Sequence, residues 1–382
     1  MAKLGDIATI QSGGTPARSI AEYWEDGTIP WVKISDIKSK HLNQTEEMIT
    51  EAGLENSSAK IFPKGTILYT IFATLGETSI LDINAATNQA IAGISITDSC
   101  VLPDYLYYYL LSQKIHVQKI GRGVAQNNIN MKLLRDFDVP LPSKEAQLNI
   151  IEQLNRVTEL LFLRKQQLTK LDELIKARFV EMFGTYPDNP FGWNTGKIQD
   201  VVSNVRYGSS RPAVEGGKYP YLRMNNITYA GELDLTDTKR IDVPDSELDK
   251  CTVQRGDVLF NRTNSKELVG KTCVYNRDDM MVLAGFVIRV RVNERILPEF
   301  LVAFLNTAFS KQMLLGMCKT AIGQANINAK EMQNIGLYIP PIALQEQFVD
   351  LKKQTDKSKV EVQKALDQTQ LLFDSLMQQY FG

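Results

Sequence analysis

The sequence contains few of the residues from which metal sites and extracellular scaffolds are usually built. Its 382 residues include two histidines and four cysteines, and no two cysteines form a CxxC pair. A zinc site or a disulfide framework needs such residues at close, regular spacing, so neither is predicted. Cysteines that stay reduced are typical of the cytoplasm, and we expect the protein to act in that compartment.

Long apolar runs and a strong net charge are also absent. No stretch approaches the roughly 18 apolar residues of a membrane span, and Met1–Asp6 has no signal-peptide core. We therefore predict neither contact with a membrane nor export. The formal net charge is −1, so a nucleic-acid-binding role would depend on local basic patches. The length allows two or three domains.

Motifs of nucleotide and methyl-transfer chemistry are incomplete. Gly270-Lys271-Thr272 resembles the end of a phosphate-binding loop, but Ser265 stands where that loop needs glycine. No glycine-rich cofactor loop followed by an Asn/Asp-Pro-Pro-aromatic motif is present, and His41 and His116 have no matching catalytic partners. We therefore predict a binding subunit that is not an enzyme, with no catalytic residue, metal site or cofactor of its own.

The chain does contain one long stretch that occurs twice. Gln126–Gly184 returns as Gln324–Gly382 at a constant offset of 198 residues, without a gap. The motif Gln-x-Asn-Ile-Asn opens each copy, and Phe-Gly closes it. Upstream, short β-like runs and a proline-led helix also recur in the same order, with offsets that drift between 190 and 198 residues. An internal repeat of this length predicts two copies of one structural unit.

Each copy is predicted to be a mixed α/β domain followed by a long helix. Apolar residues recur at seven-residue intervals in the first helix, from Leu154 through Leu161 and Leu168. Such spacing favours a coiled-coil seam, so we expect the two helices to pair antiparallel, the alternative being one helix packed on each domain. The predicted segments are a first domain at 1–142, a first helix at 143–184, a second domain at 185–340 and a second helix at 341–382.

Polar and basic loops lie just before the first predicted strand of both domains and after a buried-looking strand of the second. Backbone N–H groups, hydroxyls, Lys, Arg and Asn at such positions can contact phosphates or base edges. Considered alone, an ordinary turn explains the two loops before the first strands equally well, and a solvated loop is the better explanation of Asn261–Lys266. The candidate DNA-binding residues are Ser12, Gly13, Gly14, Thr15, Lys33, Ser35, Lys38, Lys40, Thr74, Arg206, Tyr207, Ser209, Ser210, Arg211, Arg223, Asn225, Asn261, Arg262, Asn264 and Lys266. Leu160, Leu163 and Leu174 lie outside the predicted helix seam and are candidates for docking a partner.

These features together resemble a known family. Ser12-Gly13-Gly14-Thr15-Pro16, Glu22-Tyr23-Trp24 and Ile29-Pro30-Trp31-Val32 look like the start of a target-recognition domain. With the Gln-x-Asn-Ile-Asn motif and the paired long helices, they are similar to the specificity (S) subunits of type I restriction-modification enzymes. The resemblance spans essentially the whole chain, although the second domain has Ser209-Ser210-Arg211-Pro212 where the first has the Gly-Gly-Thr-Pro form.

The resemblance implies a division of labour among subunits. Each domain would read one half of a split site in double-stranded DNA, and the helices would set the spacing. Two modification subunits would supply S-adenosylmethionine and adenine methylation, and a restriction subunit, if present, would supply ATP- and Mg-dependent translocation and cleavage. The specificity subunit of a type IIB-like enzyme is an alternative. A coiled-coil scaffold with two protein-binding heads and a nucleotide-dependent enzyme are alternatives from other classes.

Overall fold

The chain forms two compact units in a computed structural model that describes residues 1–121, 128–321 and 324–382. Unit 1 contains Met1–Lys165 and Lys364–Gly382, and unit 2 contains Gln166–Gln363. Each unit therefore combines a globular part with segments of both long helices. Gln126 and Asn127, which belong to the repeated Gln-x-Asn-Ile-Asn motif, lie outside the described residues.

Unit 1 is a mixture of short strands and helices that ends in the first long helix. Its elements are β1 (Ala2–Lys3), α1 (Leu4–Ile7), β2 (Ala8–Ser12), β3 (Ile29–Val32), β4 (His41–Leu42), β5 (Glu47–Ile49), α2 (Glu51–Glu55), β6 (Ile61–Phe62), β7 (Ile67–Thr70), β8 (Thr78–Leu81), β9 (Ala85–Thr87), β10 (Ile91–Ile96), α3 (Pro103–Ser112), α4 (Lys114–Gly121), α5 (Met131–Arg135), β11 (Asp138–Val139) and α6 (Lys144–Phe183).

Two sheets and a small ribbon organise unit 1. One sheet has the strand order β2-β10-β7-β8-β4, the other has the order β5-β3-β9-β6, and β1 pairs with β11. The central strand β7 (Ile-Leu-Tyr-Thr) is buried at every position. A continuous apolar run of that length is typical of a strand that is covered on both faces. Ile67 and Tyr69 join the main core, which also contains apolar side chains of α3, and Leu68 joins a second apolar cluster.

Unit 2 repeats this series of elements with small insertions. Its elements are β12 (Asn194–Lys197), β13 (Val202–Tyr207), β14 (Tyr219–Leu222), β15 (Lys239–Ile241), α7 (Asp245–Cys251), β16 (Thr252–Val253), β17 (Val258–Asn261), β18 (Thr263–Asn264), β19 (Thr272–Val274), β20 (Met281–Leu283), β21 (Val287–Val292), α8 (Pro298–Leu305), α9 (Ala308–Met317), β22 (Lys319–Ala321), β23 (Gln324–Asn326), α10 (Ala329–Gln333), β24 (Gly336–Ile339) and α11 (Ile342–Phe381).

The sheets of unit 2 follow the same topology. The orders β13-β21-β17-β19 and β15-β14-β20-β16, and the pair β12-β24, match those of unit 1 strand for strand. Unit 1 adds β4 at one sheet edge, and unit 2 adds a small sheet of order β18-β23-β22. The predicted mixed α/β class and the internal repeat are therefore confirmed.

The long helices α6 and α11 each contain 40 residues, which corresponds to about 60 Å of helix. In unit 1, the Tyr380 hydroxyl donates to Gln153 Oε1 at 2.8 Å. In unit 2, Phe179 lies 5.3 Å from Phe348 between ring centroids, and Lys359 pairs with Asp172 at 2.7 Å. In unit 2, residue numbers therefore increase along α6 as the numbers of their contact partners in α11 decrease. The two segments are antiparallel.

A buried glutamine joins each globular part to its helix. Gln147 in α6 accepts the Leu102 N–H at 3.0 Å and donates to the carbonyls of Cys100 and Pro142. Gln345 in α11 accepts the Leu297 N–H at 2.8 Å and donates to the carbonyls of Arg295 and Pro340. Both residues are at most 1% exposed. The repeated Gln thus satisfies backbone groups that burial would otherwise leave unpaired.

No single helix among the described residues is long and apolar enough to cross a membrane. Helices α8 and α9 are long and apolar enough only when they are counted together, and they form a pair bent by 70°. Most side chains of α8 belong to the core of unit 2.

Candidate nucleic-acid interface

The glycine loop that follows β2 packs tightly against its own sheet. The N–H groups of Gly13 and Gly14 donate to the carbonyls of Ile91 and Thr87. A Cβ on Gly13 would lie 2.1 Å from the Thr87 Oγ1, and one on Gly14 would lie 2.3 Å from Ser58. The expectation that these N–H groups face a phosphate is therefore not met, because both are used inside the unit. Ser12 and Thr15 are partly exposed beside them.

The equivalent loop of unit 2 keeps the same contacts with different residues. Ser209 donates its N–H to Leu283 O at 2.6 Å and is 8% exposed. The Tyr221 hydroxyl reaches Ser209 O at 3.3 Å, as the Trp31 Nε1–H reaches Gly14 O at 3.0 Å. The contacts that hold this loop against the sheet are therefore kept, although Ser209 and Tyr221 replace Gly14 and Trp31. Ser210 remains exposed at its tip.

Lys33 and Arg223 occupy matching positions after β3 and β14, and each is paired with carboxylates. Lys33 Nζ lies 2.8 Å from Glu46 and 2.9 Å from Glu47, and its hydrogen bonds with these residues raise the pKa of the Lys33 ammonium. Arg223 Nη2 lies 2.8 Å from Asp237 Oδ2. A phosphate at either position would compete with these carboxylates, so both cations are balanced at rest.

Two other candidate cations also have partners inside their own unit. Lys40 Nζ donates to Asn155 Oδ1 at 2.8 Å, pairs with Asp104 at 3.2 Å and lies over the Tyr108 ring. Burial lowers its pKa, and it joins the β3–β4 loop to α6 and α3. We therefore assign Lys40 a structural role and remove it from the DNA-contact candidates. Arg211 forms a bidentate pair with Glu247, with contacts of 3.1 and 2.7 Å.

Several candidates are exposed and free to reach a ligand. Thr74 is exposed at the turn between β7 and β8, and Lys266 is exposed at the corresponding turn of unit 2. Lys38 is 71% exposed and its nearest carboxylate oxygen, on Glu46, is 3.7 Å away. Ser35, Arg206 and Asn225 are exposed, and Asn264 is partly exposed.

Asn261 does not belong with these exposed residues. It is the last residue of β17, its side chain is fully buried, and its Oδ1 accepts the Thr263 N–H at 3.3 Å. Its amide nitrogen is buried without a partner. The base contact by Asn261 stays a prediction, and in this structure the side chain is buried at the end of β17.

A basic and aromatic patch forms where β13, β17 and β21 meet. The Arg262 guanidinium lies 4.9 Å from the Tyr207 ring centroid, and its Nη2 donates to Asn326 Oδ1 at 3.2 Å. Phe286, whose carbonyl accepts the Arg262 N–H, is 53% exposed. These side chains offer positive charge and stacking surface. Sequence reasoning missed Phe286, because an aromatic residue next to a buried strand is normally assigned to the core.

The shared Asn-Ile-Asn residues support the fold. Asn130 Oδ1 accepts the Leu133 N–H at 2.8 Å, and Asn328 Oδ1 accepts the Glu331 N–H at 2.9 Å, so each caps the short helix that follows. Ile129 and Ile327 donate their N–H groups to the carbonyls of Ile71 and Arg262. Each copy thus fixes the residue that follows the central strand of its own unit.

The predicted docking leucines are exposed on α6. Leu160, Leu163 and Leu174 are 45%, 48% and 44% exposed. The helices also expose other large apolar side chains that sequence reasoning did not select, namely Leu148, Phe162, Val180, Val360, Leu371 and Leu372. Among the residues that the structure describes, no group of three or more His, Cys, Asp or Glu could hold a metal ion.

The family model of the type I restriction modification DNA specificity domain matches residues 1–173 and again 190–369. The chain belongs to this family. Its two matched segments fall on the two copies of the repeated topology. The family resemblance deduced from the sequence is therefore confirmed.

The chain is also similar to curated proteins that are named type I restriction enzyme specificity subunits. The type I restriction enzyme MjaIX specificity subunit of Methanocaldococcus jannaschii is 30% identical over 249 residues, which cover 59% of this chain and 57% of that subunit. The chain thus aligns with little more than half of the MjaIX subunit. The EcoKI specificity subunit of Escherichia coli K12 is 21% identical over 411 residues, which cover 100% of this chain and 88% of that subunit.

Solved structures show the same fold. A chain from a study of complex assembly and conformational transition of the type I R-M system superposes with a TM-score of 0.63 at 18% identity, covering 100% of this chain and 96% of that chain. The S subunit from M. genitalium gives 0.51 at 16% identity, covering 100% of this chain and 95% of that one. At these identities the likeness supports the fold alone. The roles of individual residues are inferred from the geometry of this chain.

Proposed function

We propose that this specificity-family chain reads a bipartite site in double-stranded DNA, with unit 1 and unit 2 each reading one half. The observation that carries the proposal is the repeat itself. The two units have the same strand orders and the same buried anchors, while the exposed residues at the ends of β7 and β17 differ. A protein that reads two different half-sites needs one scaffold presented twice with different surfaces.

The long helices act as the spacer and as the assembly surface. A helix pair of about 60 Å is longer than the 34–36 Å that B-DNA advances per turn, so it can separate two readers by one turn and leave a gap. The exposed leucines of α6 dock two modification subunits, because exposed apolar patches mark interaction surfaces. Those subunits bind S-adenosylmethionine, and a restriction subunit, where present, uses ATP and Mg. This chain recognises DNA and performs no chemistry, in the cytoplasm.

Co-expression with a modification subunit tests the assembly. The wild-type chain should co-purify with that subunit, and the complex should bind one duplex sequence more tightly than scrambled duplexes. The Leu160→Asp/Leu163→Asp double variant should lose the partner while it remains folded. The control is the Lys165→Asp/Gln167→Asp variant, which places two carboxylates on the next turn of α6 at exposed polar positions. Equal recovery of the partner by both variants would contradict the docking surface.

A further inference from the structure

In unit 1, a lysine at the start of α4 has a counter-ion on the neighbouring hairpin. Lys114 Nζ lies 2.7 Å from Glu77 Oε1. Glu77 follows Gly76, whose φ of +83° turns the chain into β8. A Cβ on Gly76 would contact Lys114 and Val117 at about 3 Å, so this hairpin packs directly on α4. The ion pair is therefore fixed by the local backbone.

Unit 2 repeats the hairpin and the helix but reverses the charge. Gly270 has a φ of +78°, and a Cβ there would meet Leu314 of α9, the counterpart of Val117. The residue after Gly270 is Lys271, which stands where unit 1 has Glu77. Lys311 of α9 stands where unit 1 has Lys114, 197 residues earlier. The position that neutralises the lysine in unit 1 thus adds a second positive charge in unit 2.

The surroundings of Lys311 contain no compensating acid. Its Nζ lies 3.4 Å from Gly270 O and 4.9 Å from the centroid of the Tyr229 ring. Lys271 is 7% exposed, and its Nζ donates to Met224 O at 3.0 Å. Within the described part of the chain, no carboxylate oxygen lies within 4.0 Å of either ammonium group. Burial and the charges of Lys271 and Lys176 lower the pKa of Lys311 to about 8.

Lys176 of α6 is exposed and adds positive charge in the vicinity of Lys311. The position that holds the acidic partner of the shared lysine in unit 1, Glu77, is therefore a lysine in unit 2. Half-buried cations without a counter-ion are costly, and such a cost is offset when an anion binds. Tyr229 is 57% exposed beside the cluster, so a ligand can approach from solvent.

We infer that Lys271 and Lys311 form an anion site in unit 2 that binds a phosphate group. Phosphate supplies both the negative charge and the acceptor oxygens that two ammonium groups can share. The phosphate comes from the backbone of bound DNA or from free phosphate in solution. The DNA source rests on the proposed function, whereas the free-phosphate source does not.

The Lys271→Glu variant tests the site and is expected to fold, because it rebuilds the ion pair that unit 1 already contains. Lys60→Glu is the matched control, since it makes the same charge change at an exposed position in unit 1. Lys311→Met is a second variant that removes the shared cation and keeps a similar side-chain volume. All are made in the full chain, and in its complex with a modification subunit for DNA binding.

In the first arm, thermal unfolding is followed as inorganic phosphate replaces chloride at constant ionic strength. If the site takes free phosphate, the wild type and Lys60→Glu should gain Tm with phosphate, because a ligand that binds only the folded state stabilises it. Lys271→Glu and Lys311→Met should gain little.

In the second arm, duplex binding is measured by fluorescence anisotropy at several salt concentrations. If the site holds a DNA phosphate, Lys271→Glu should weaken binding about tenfold on cognate and scrambled duplexes alike, and the slope of log K against log salt should fall by about 0.9. Lys60→Glu should do neither.

The inference is overturned if Lys271→Glu matches Lys60→Glu in both arms. A wild-type complex that binds no duplex would contradict the proposed function, while the phosphate arm would still decide the site.

Discussion

Units 1 and 2 share the buried residues that anchor each globular part to its helix and differ in the residues exposed at the end of the central strand. Gln147 and Gln345 make the same three hydrogen bonds, and Asn130 and Asn328 cap the same short helix. By contrast, the strand end that carries Ile71 and the exposed Phe72 in unit 1 carries Arg262 in unit 2. The residues shared by the copies hold the scaffold, so under the proposed function the residues that differ are expected to determine specificity.

A second difference lies where each globular part meets its helix. In unit 1, Tyr107 and Tyr108 of α3 are buried there, and the Tyr108 hydroxyl donates to Asn155 of α6 at 2.7 Å. Unit 2 has the smaller Val302 and Ala303 at the matching positions of α8. A groove of about 800 Å³ remains beside Val302, lined in part by Lys352 and Lys359 of α11. The matching helix positions thus hold buried tyrosines in unit 1 and border a groove in unit 2.

The glutamine anchors provide the largest expected effect. Gln147→Ala and Gln345→Ala each leave one N–H and two carbonyls without their partner, so each should destabilise its own unit by about 3 kcal/mol. Hydrogen exchange measured by mass spectrometry, peptide by peptide, reports the loss separately for each unit. The exposed Gln167→Ala is the control and should change nothing. If only one of the two anchor variants loosened its unit, the buried scaffolds would not be equivalent.

Variants of Arg262 and Lys33 distinguish base recognition from phosphate contact. Arg262→Ala should relax the preference at one base position by about 1–3 kcal/mol, because a bidentate base contact is lost. Lys33→Ala should weaken all duplexes similarly and reduce the salt dependence, because a phosphate contact carries no sequence information. Binding to a panel of singly substituted duplexes distinguishes the two. An Arg262→Ala complex with unchanged sequence preference would remove Arg262 from the readers.

A four-residue insertion into α6 should have the mildest effect, a change of spacing alone. Four residues added between Gln166 and Gln167 lengthen α6 by about 6 Å and nearly keep the phase of its apolar seam. The preferred gap in the DNA site should grow by one or two base pairs, with both half-sites unchanged. Two inserted residues should rotate the seam by about half a turn and prevent assembly. Selection of bound sequences from a random duplex pool measures the gap.

Much of the fold was predictable because it follows from repetition and periodicity. The seven-residue spacing of Leu154 and Leu161 predicted buried seam positions, and both are at most 8% exposed. The candidate interface was harder to predict, because residue type does not show where a side chain points. Lys40 and Asn261 have side chains that can contact DNA. However, Lys40 is hydrogen-bonded to Asn155 of α6, and Asn261 is buried. Phe286 has the chemistry of a core residue and is exposed.

A map of methylated adenines tests the two-reader hypothesis most directly. It compares cells that express the modification subunit with the native chain and cells that express it with a chimaera in which residues 185–340 come from another family member. The native chain should give one bipartite motif, and the chimaera should keep one half and the gap while it changes the other half. A motif without a gap, or a chimaera that changes both halves, would contradict the assignment of one half-site to each unit.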